Sequence, residues 1–531
     1  MLSFQPKKKY WQWLIVVLLA FGILFRCSHL EHKPYWGDES LTSQRISGYT
    51  DQDLKEMVLQ NNAMTVGEIQ QYQRPNSNRD FQDVMQALAE HGEHPPLYYI
   101  MARFWMQLFQ NTIATPRTLS AVISLLAIPS VYFLCGELFK SSFVGWVAIA
   151  LLAVSPIQVI YAQEARQYSL WTTTILLSSW ALLRALRTNK KSSWGMYTFT
   201  LSLGLYTHLI SVIVAVAHGI YVFFHESCRL SKNMLAYLLA SCAGFFLFVP
   251  WMVITISEKI GGRDGVPGWS ERDTPLASLV QTWLLNLSRI FIDFNDSFVY
   301  KNFWIYTAIA VLVFYAIYFL CKNTPNRVGL FVVLLIAVPA LFLILPDLIL
   351  GGRRSTPLRY FIPSSLGVQI AVAYLFSSKI NFPIGGKNWS NRLWRIVTVV
   401  VVSSGVISAT LISQADTWWF KGREYYHNEV AKIINPKERP IAIATWFDIR
   451  TLSHSLDSHV VLQDIRPFQK FDSLDDRFSH VFVYESKQIL DYLEKHANYR
   501  VEQVWTWKRQ TTPVNTSLTN LWQLERKNEH H

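Results

Sequence analysis

Charge is what this sequence has least of. Of its 531 residues only 16% are Asp, Glu, Lys or Arg, while 51% are apolar and 14% aromatic. A water-soluble chain carries about a quarter charged residues, so the deficit excludes an ordinary soluble globule and points to lipid. Cysteine is also sparse. Cys27, Cys135, Cys242 and Cys321 lie in or beside apolar stretches and Cys228 lies in a basic loop. Their spacing suits neither a zinc site nor a disulfide framework. No aspartate-rich metal signature stands out, since Asp293 and Asp296 merely flank Asn295, and a metal-independent chemistry is expected. Internal repeats and low-complexity tracts are absent as well.

What remains is long uncharged runs: Ser141–Gln163, Asn233–Ser257, Asn302–Cys321, Val328–Pro346 and Ile396–Ala415. Each is near the roughly 20 residues that a helix needs to cross a bilayer. A soluble core helix would show a polar residue every third or fourth position, and these do not. Lys7, Lys8 and Lys9 precede an apolar stretch from Trp11 to Phe25, as in a signal peptide. No small-residue cleavage site follows, so the stretch reads as an uncleaved first helix.

Twelve apolar segments emerge: 11–27, 96–111, 117–139, 143–162, 167–187, 194–208, 209–225, 234–257, 302–321, 328–347, 359–378 and 395–414. The net charge of +12 gathers in the short links between them. There it acts on topology and lipid head groups, and no nucleic-acid partner is expected. Placing those basic links in the cytoplasm puts the loops 28–94 and 258–301 and the tail outside. Parity then requires one adjustment. Either 96–111, which contains Arg103 and spans only about 24 Å, is re-entrant or interfacial, or Lys140 faces outward and Glu164 inward. The expected architecture is an α-helical polytopic membrane protein of about 11–13 spans, occupying residues 1–415. Residues 416–531 form a small extracytoplasmic α/β domain. Its strand-like runs are Ile441–Ala444, Val460–Leu462, Val481–Tyr484, Val501–Trp507 and Leu521–Leu524, and Ser486–His496 has helical periodicity.

Four stretches can carry chemistry. In Tyr35-Trp36-Gly37-Asp38-Glu39, a carboxylate can act as a general base, or the pair can simply serve a helix start. In Glu93-His94-Pro95-Pro96, the double proline presents Glu93 and His94 at the outer surface, or is a bare turn into the next helix. The short link Gln163-Glu164-Ala165-Arg166-Gln167-Tyr168 offers Arg166 to a phosphate and Glu164 to orient it; an internal salt bridge is the plainer alternative. Around Gly351–Tyr360, three arginines, Arg353, Arg354 and Arg359, face outward beside Tyr360, against the orientation rule, which suggests a bound anion. Arg263, Arg272 and Arg289 add to these from the loop 258–301, and His208 sits between two short apolar segments, where a helix-end role is the common one.

Taken in order, Trp36-Gly37-Asp38-Glu39, Glu93-His94-Pro95-Pro96-Leu97, Gln163–Tyr168 and Leu358-Arg359-Tyr360 resemble the membrane glycosyltransferases of the GT-C fold. The resemblance spans roughly residues 10–415 and is greatest to the protein O-mannosyltransferase-like family 39 and the lipid A aminoarabinose transferases. It implies a sugar donor on a polyprenyl phosphate, inversion at the anomeric carbon, and Asp38 as catalytic carboxylate with Glu39 beside it. Glu93 and His94 stand where relatives place an acidic and a cationic residue near the donor phosphate. His94 replaces the lysine usual in aminoarabinose transferases, and His208 falls where some relatives have a lysine. The resemblance further implies an inner or plasma membrane location of bacterial type, an extracytoplasmic site, and a protein, lipid or polysaccharide acceptor. A flippase for lipid-linked glycans and a non-catalytic scaffold are the rival classes. A transporter would place charges near the bilayer midplane and show repeats, and this sequence does neither.

Overall fold

The computed structural model describes residues 6–60, 63–109, 112–260, 268, 270–295, 303–380, 389–464, 477–485, 499–510 and 516–526. Arg263, Asp296 and the segment Ser486–His496 lie outside the described residues. The chain divides into two compact units. One comprises Met1–Ser28, His91–Tyr98 and Arg117–Gln414; the other comprises His29–Glu90, Tyr99–Pro116 and Ala415–His531.

The first unit is helical throughout. Among the described residues, six helices of the chain are long and apolar enough to cross a membrane, or seven if the bent pair Ser142–Ala153 and Pro156–Ala162 is one span. Two shorter apolar helices, Trp13–Cys27 and Ser211–His225, add to these. Every apolar segment expected from sequence falls in a helix, because lipid leaves the backbone no partner but itself. The larger number of crossings read from sequence includes shorter or more polar helices, such as Tyr168–Thr188 with its buried Ser and Thr side chains. The helix Leu97–Leu108 has 12 residues and reaches about 18 Å, too short to span.

The bend of 60° between Ala153 and Pro156 frees backbone carbonyls inside the helical bundle. Arg26 takes them, donating to the Ala153 oxygen at 2.6 Å and to that of Leu152 at 3.0 Å. Ser155 Oγ donates to the Ile290 carbonyl at 2.7 Å and accepts from Gln369 Nε2 at 2.8 Å. With its freed carbonyls met, the broken helix delivers the link Gln163–Gln167 at a fixed angle. An apolar cavity of about 310 Å³ lies beside it, lined by Leu14, Leu18, Leu151, Phe376, Val402 and Val406 among others.

The second unit is an α/β body. Its strands are β1 (Met64–Thr65), β2 (Pro440–Ala444), β3 (Val461–Asp464), β4 (His480–Tyr484), β5 (Tyr499–Gln510) and β6 (Thr516–Arg526). They form one sheet in the order β1-β3-β2-β4-β6-β5. The pairs β2–β3 and β2–β4 are parallel and the others antiparallel. All five strand-like runs of the tail are strands, and the sixth comes from residues 64–65, far earlier in the chain. Leu54, Val58 and Ile69 share one core with Ile434, Ala442, Leu462 and Phe482, so residues 29–90 fold with the tail.

Candidate functional site

In the second unit, the acidic pair opens the helix Gly37–Ile46. Trp36 precedes it with extended backbone and no capping side chain. The cap comes from elsewhere: Glu424 Oε1 accepts the Gly37 N–H at 3.1 Å. Glu39 is fully buried, and its Oε2 lies 2.8 Å from Lys421 Nζ, which is equally buried. Lys421 also lies 4.8 Å from the Phe420 ring centre and 5.9 Å from that of Trp36. Between Lys421 and Glu424 the chain turns at Gly422, whose φ of +62° a side chain would strain. Asp38 is thus the partly exposed member of the pair, next to a locked one. At the far end of this helix, Arg103 donates to the Ile46 carbonyl at 2.7 Å and to that of Arg79 at 2.9 Å. That accounts for the arginine within an apolar segment.

In the first unit, Gln163 ties the short link to the end of the first helix by donating to the Phe25 carbonyl at 2.6 Å and to that of Ser28 at 3.1 Å. Ser120 Oγ donates to the Arg166 carbonyl at 3.3 Å and pairs with the Tyr98 hydroxyl at 2.7 Å. Glu164, Arg166 and Tyr168 are all buried. His208 stacks on Trp171 with centroids 4.1 Å apart, with Tyr168 at 6.2 Å and Tyr360 at 6.0 Å. The guanidiniums of Arg166 and Arg359 lie 5.9 and 5.3 Å from the ring centres of Tyr168 and Tyr360. Burial, with the charges of Arg166 and Arg359, holds His208 down at about 3, so it is neutral at physiological pH. The Ile210 N–H donates to its Nδ1 at 3.2 Å, which leaves the ring proton on Nε2. Glu164, Arg359 and Arg289 all act electrostatically on the Tyr161 hydroxyl. Glu164, Arg166, Tyr168, His208, Arg289, Arg359 and Tyr360 therefore converge on one cationic, aromatic cluster.

The remaining residues singled out in the sequence sit differently. Glu93 is exposed, with Oε1 3.5 Å from His91 Nδ1 and 3.9 Å from His94 Nε2. The turn that carries them is placed by the Leu97 N–H donating to the Tyr206 carbonyl at 3.1 Å, two residues before His208. Arg354 belongs to the scaffold of its loop. Asp347 accepts from the Arg354 N–H at 2.9 Å, the Ser355 N–H at 2.7 Å and Ser355 Oγ at 2.6 Å. Arg353 is half-buried, and burial together with the neighbouring Arg272 lowers its pKa. Asn286 links this loop to Arg289, donating to the Thr356 carbonyl at 2.9 Å and accepting from Arg289 at 3.1 Å. Among the described residues, no group of three or more His, Cys, Asp or Glu is placed to hold a metal ion.

Sequence reasoning missed Asp347, Lys421, Glu424 and Arg450. The last three follow the final apolar segment, and the aromatic and charged run Trp418–Tyr426 was the available signal.

Residues 93–254 match the family described as dolichyl-phosphate-mannose-protein mannosyltransferase. No curated protein sequence matches the chain. Solved structures that share its architecture include the following two. ArnT from Cupriavidus metallidurans bound to undecaprenyl phosphate is 13% identical, with a TM-score of 0.52 over 96% of this chain and 98% of that one. The Archaeoglobus fulgidus oligosaccharyltransferase in its apo form is also 13% identical, with a TM-score of 0.51 over 94% and 70% of the two chains. The chain has the GT-C fold of membrane glycosyltransferases.

Proposed function

We propose that this protein transfers a sugar from a polyprenyl-phosphate carrier to an acceptor at the extracytoplasmic membrane face, with inversion. The acceptor hydroxyl must lose a proton while its oxygen attacks the anomeric carbon, and Asp38 takes that proton. The bond from sugar to phosphate breaks with its electron pair leaving on the lipid phosphate, whose charge Arg166, Arg289 and Arg359 meet. Neutral His208 and the rings of Tyr168, Trp171 and Tyr360 hold the guanidiniums of Arg166 and Arg359 among aromatic faces. Arg353 supplies further positive charge at the outer surface, and Glu93 and His94 border the donor. The apolar cavity beside the first helix suits a prenyl chain.

The observation that supports the reading is the difference in burial within the acidic pair: Glu39 is fully buried against Lys421, and Asp38 is partly exposed. Asp38 is then the base and Glu39 the group that fixes the helix end. The test is mass spectrometry of envelope lipids and glycoproteins from cells lacking the protein, complemented with the natural chain or with Asp38→Asn. Loss of one defined sugar, restored by the first and not by the second, is expected. Full restoration by Asp38→Asn overturns the reading.

A further inference from the structure

Two arginines of the second unit are buried with nothing to satisfy much of their donor capacity. Arg45, 3% exposed, has no acceptor for Nε or Nη1 among the described residues. Arg450, fully buried, has none for Nε or Nη2. Arg450 Nη1 alone is served, by Gln44 Oε1 at 3.3 Å and Asp51 Oδ1 at 3.4 Å. Its guanidinium lies over Phe447 at 4.6 Å and Trp446 at 5.6 Å. Ring stacking occupies the faces of a guanidinium and leaves its N–H groups directed outward in the plane. Burial lowers Arg450 to about 10; nearby Asp51, Glu424 and Asp38 oppose that fall and Arg45 adds to it. Arg45 therefore lies close enough to Arg450 to act on it as like charge on like.

The helix dipole explains why a cation stands in the last turn of Gly37–Ile46, but a dipole needs no burial. Seven residues separate Asp38 from Arg45, close to two turns, so they share a helix face about 10 Å apart along the axis. Arg450 feels both. We propose that Arg45 and Arg450 form a subsite for an anionic group, phosphate or carboxylate, that the acceptor carries about 10 Å from the hydroxyl served by Asp38. Such a group has the lone pairs to accept from several guanidinium nitrogens at once, and it relieves the repulsion between the two cations. The proposal rests on Asp38 being the acceptor's base. It assigns Arg45 and Arg450 to the acceptor, distinct from the arginines of the first unit that meet the donor phosphate.

The experiment uses the full chain in phosphatidylcholine nanodiscs saturated with undecaprenyl phosphate, titrated with inorganic phosphate and followed by melting temperature. A saturable rise is expected for the natural chain, weakened at least tenfold in Arg45→Gln and in Arg450→Gln. Arg45→Lys keeps the charge and loses the fork, so its response should be intermediate at an unchanged starting melting temperature. No response, a response that survives both glutamine variants, or one that appears only without undecaprenyl phosphate overturns the subsite; the last assigns the phosphate to the donor. Including phosphatidylglycerol separates the sources: competition with phosphate marks a lipid-borne anion, and no competition a soluble one. Asp38→Asn should keep the phosphate response while losing transfer. If it transfers normally, the transferase reading fails while the anion site stands.

Discussion

Lys421 Nζ sits 2.8 Å from Glu39 Oε2, with neither side chain exposed to solvent. Removing one partner leaves a buried charge alone, which costs about 3–5 kcal/mol. Lys421→Met should lower the melting temperature of the purified protein sharply. The double variant Glu39→Leu with Lys421→Met should recover most of that loss, because replacing both charges by apolar groups is often neutral. A double variant no more stable than the single one would count against the pair as the cause.

Asp38 is partly exposed, so Asp38→Asn should melt like the natural chain. Its transfer rate should fall by about 100-fold or more, the usual contribution of a general base. Glu39→Gln should lose both activity and stability, and the two measurements together separate chemistry from positioning.

His208 is held at about 3, well below its ordinary value of 6.5. Between those values the unfolded chain binds a proton that the folded chain does not, so this residue removes stability as pH falls from 6.5 toward 3. His208→Gln, which keeps a neutral acceptor for the Ile210 N–H, should flatten that part of the melting profile. The rate profile between pH 5 and 8 should show no inflection that disappears with this substitution.

Arg359→Lys and Arg166→Lys keep a charge and lose the planar fork that suits phosphate. Each should raise the donor KM at least tenfold, by about 1.4 kcal/mol, with little change in melting temperature. Arg354→Gln should do the reverse, because Arg354 braces its own loop through Asp347 and the Gly351 carbonyl.

Treatment with a chelator should leave transfer unchanged. On the proposed reading, guanidinium groups meet the charge that develops on the leaving phosphate. Loss of activity restored by added magnesium would overturn metal independence.

Much of this was readable in the residues. Hydrophobic runs marked every candidate membrane helix among the described residues, and short β-prone runs such as Val481–Tyr484 marked five of the six strands. Glu164, Arg166, Tyr168, His208, Arg289, Arg359 and Tyr360 were each singled out from short motifs and do converge. Arg354 was singled out for the same reason and is scaffold, because a sequence shows a charge without its partner. Arg45 and Arg450 gave no motif at all, and Lys421 only the aromatic and charged run Trp418–Tyr426 around it.

The sequence alone determined the long apolar helices, since a chain in lipid must satisfy its own backbone, and the strands of the tail, through their β-prone runs. Tertiary structure decided which charges are paired. Glu39 and Lys421 are 382 residues apart, and only the packing of residues 29–90 with the tail brings them together and buries them. Burial then sets the strength of each charge, because the same pair in water would be worth little.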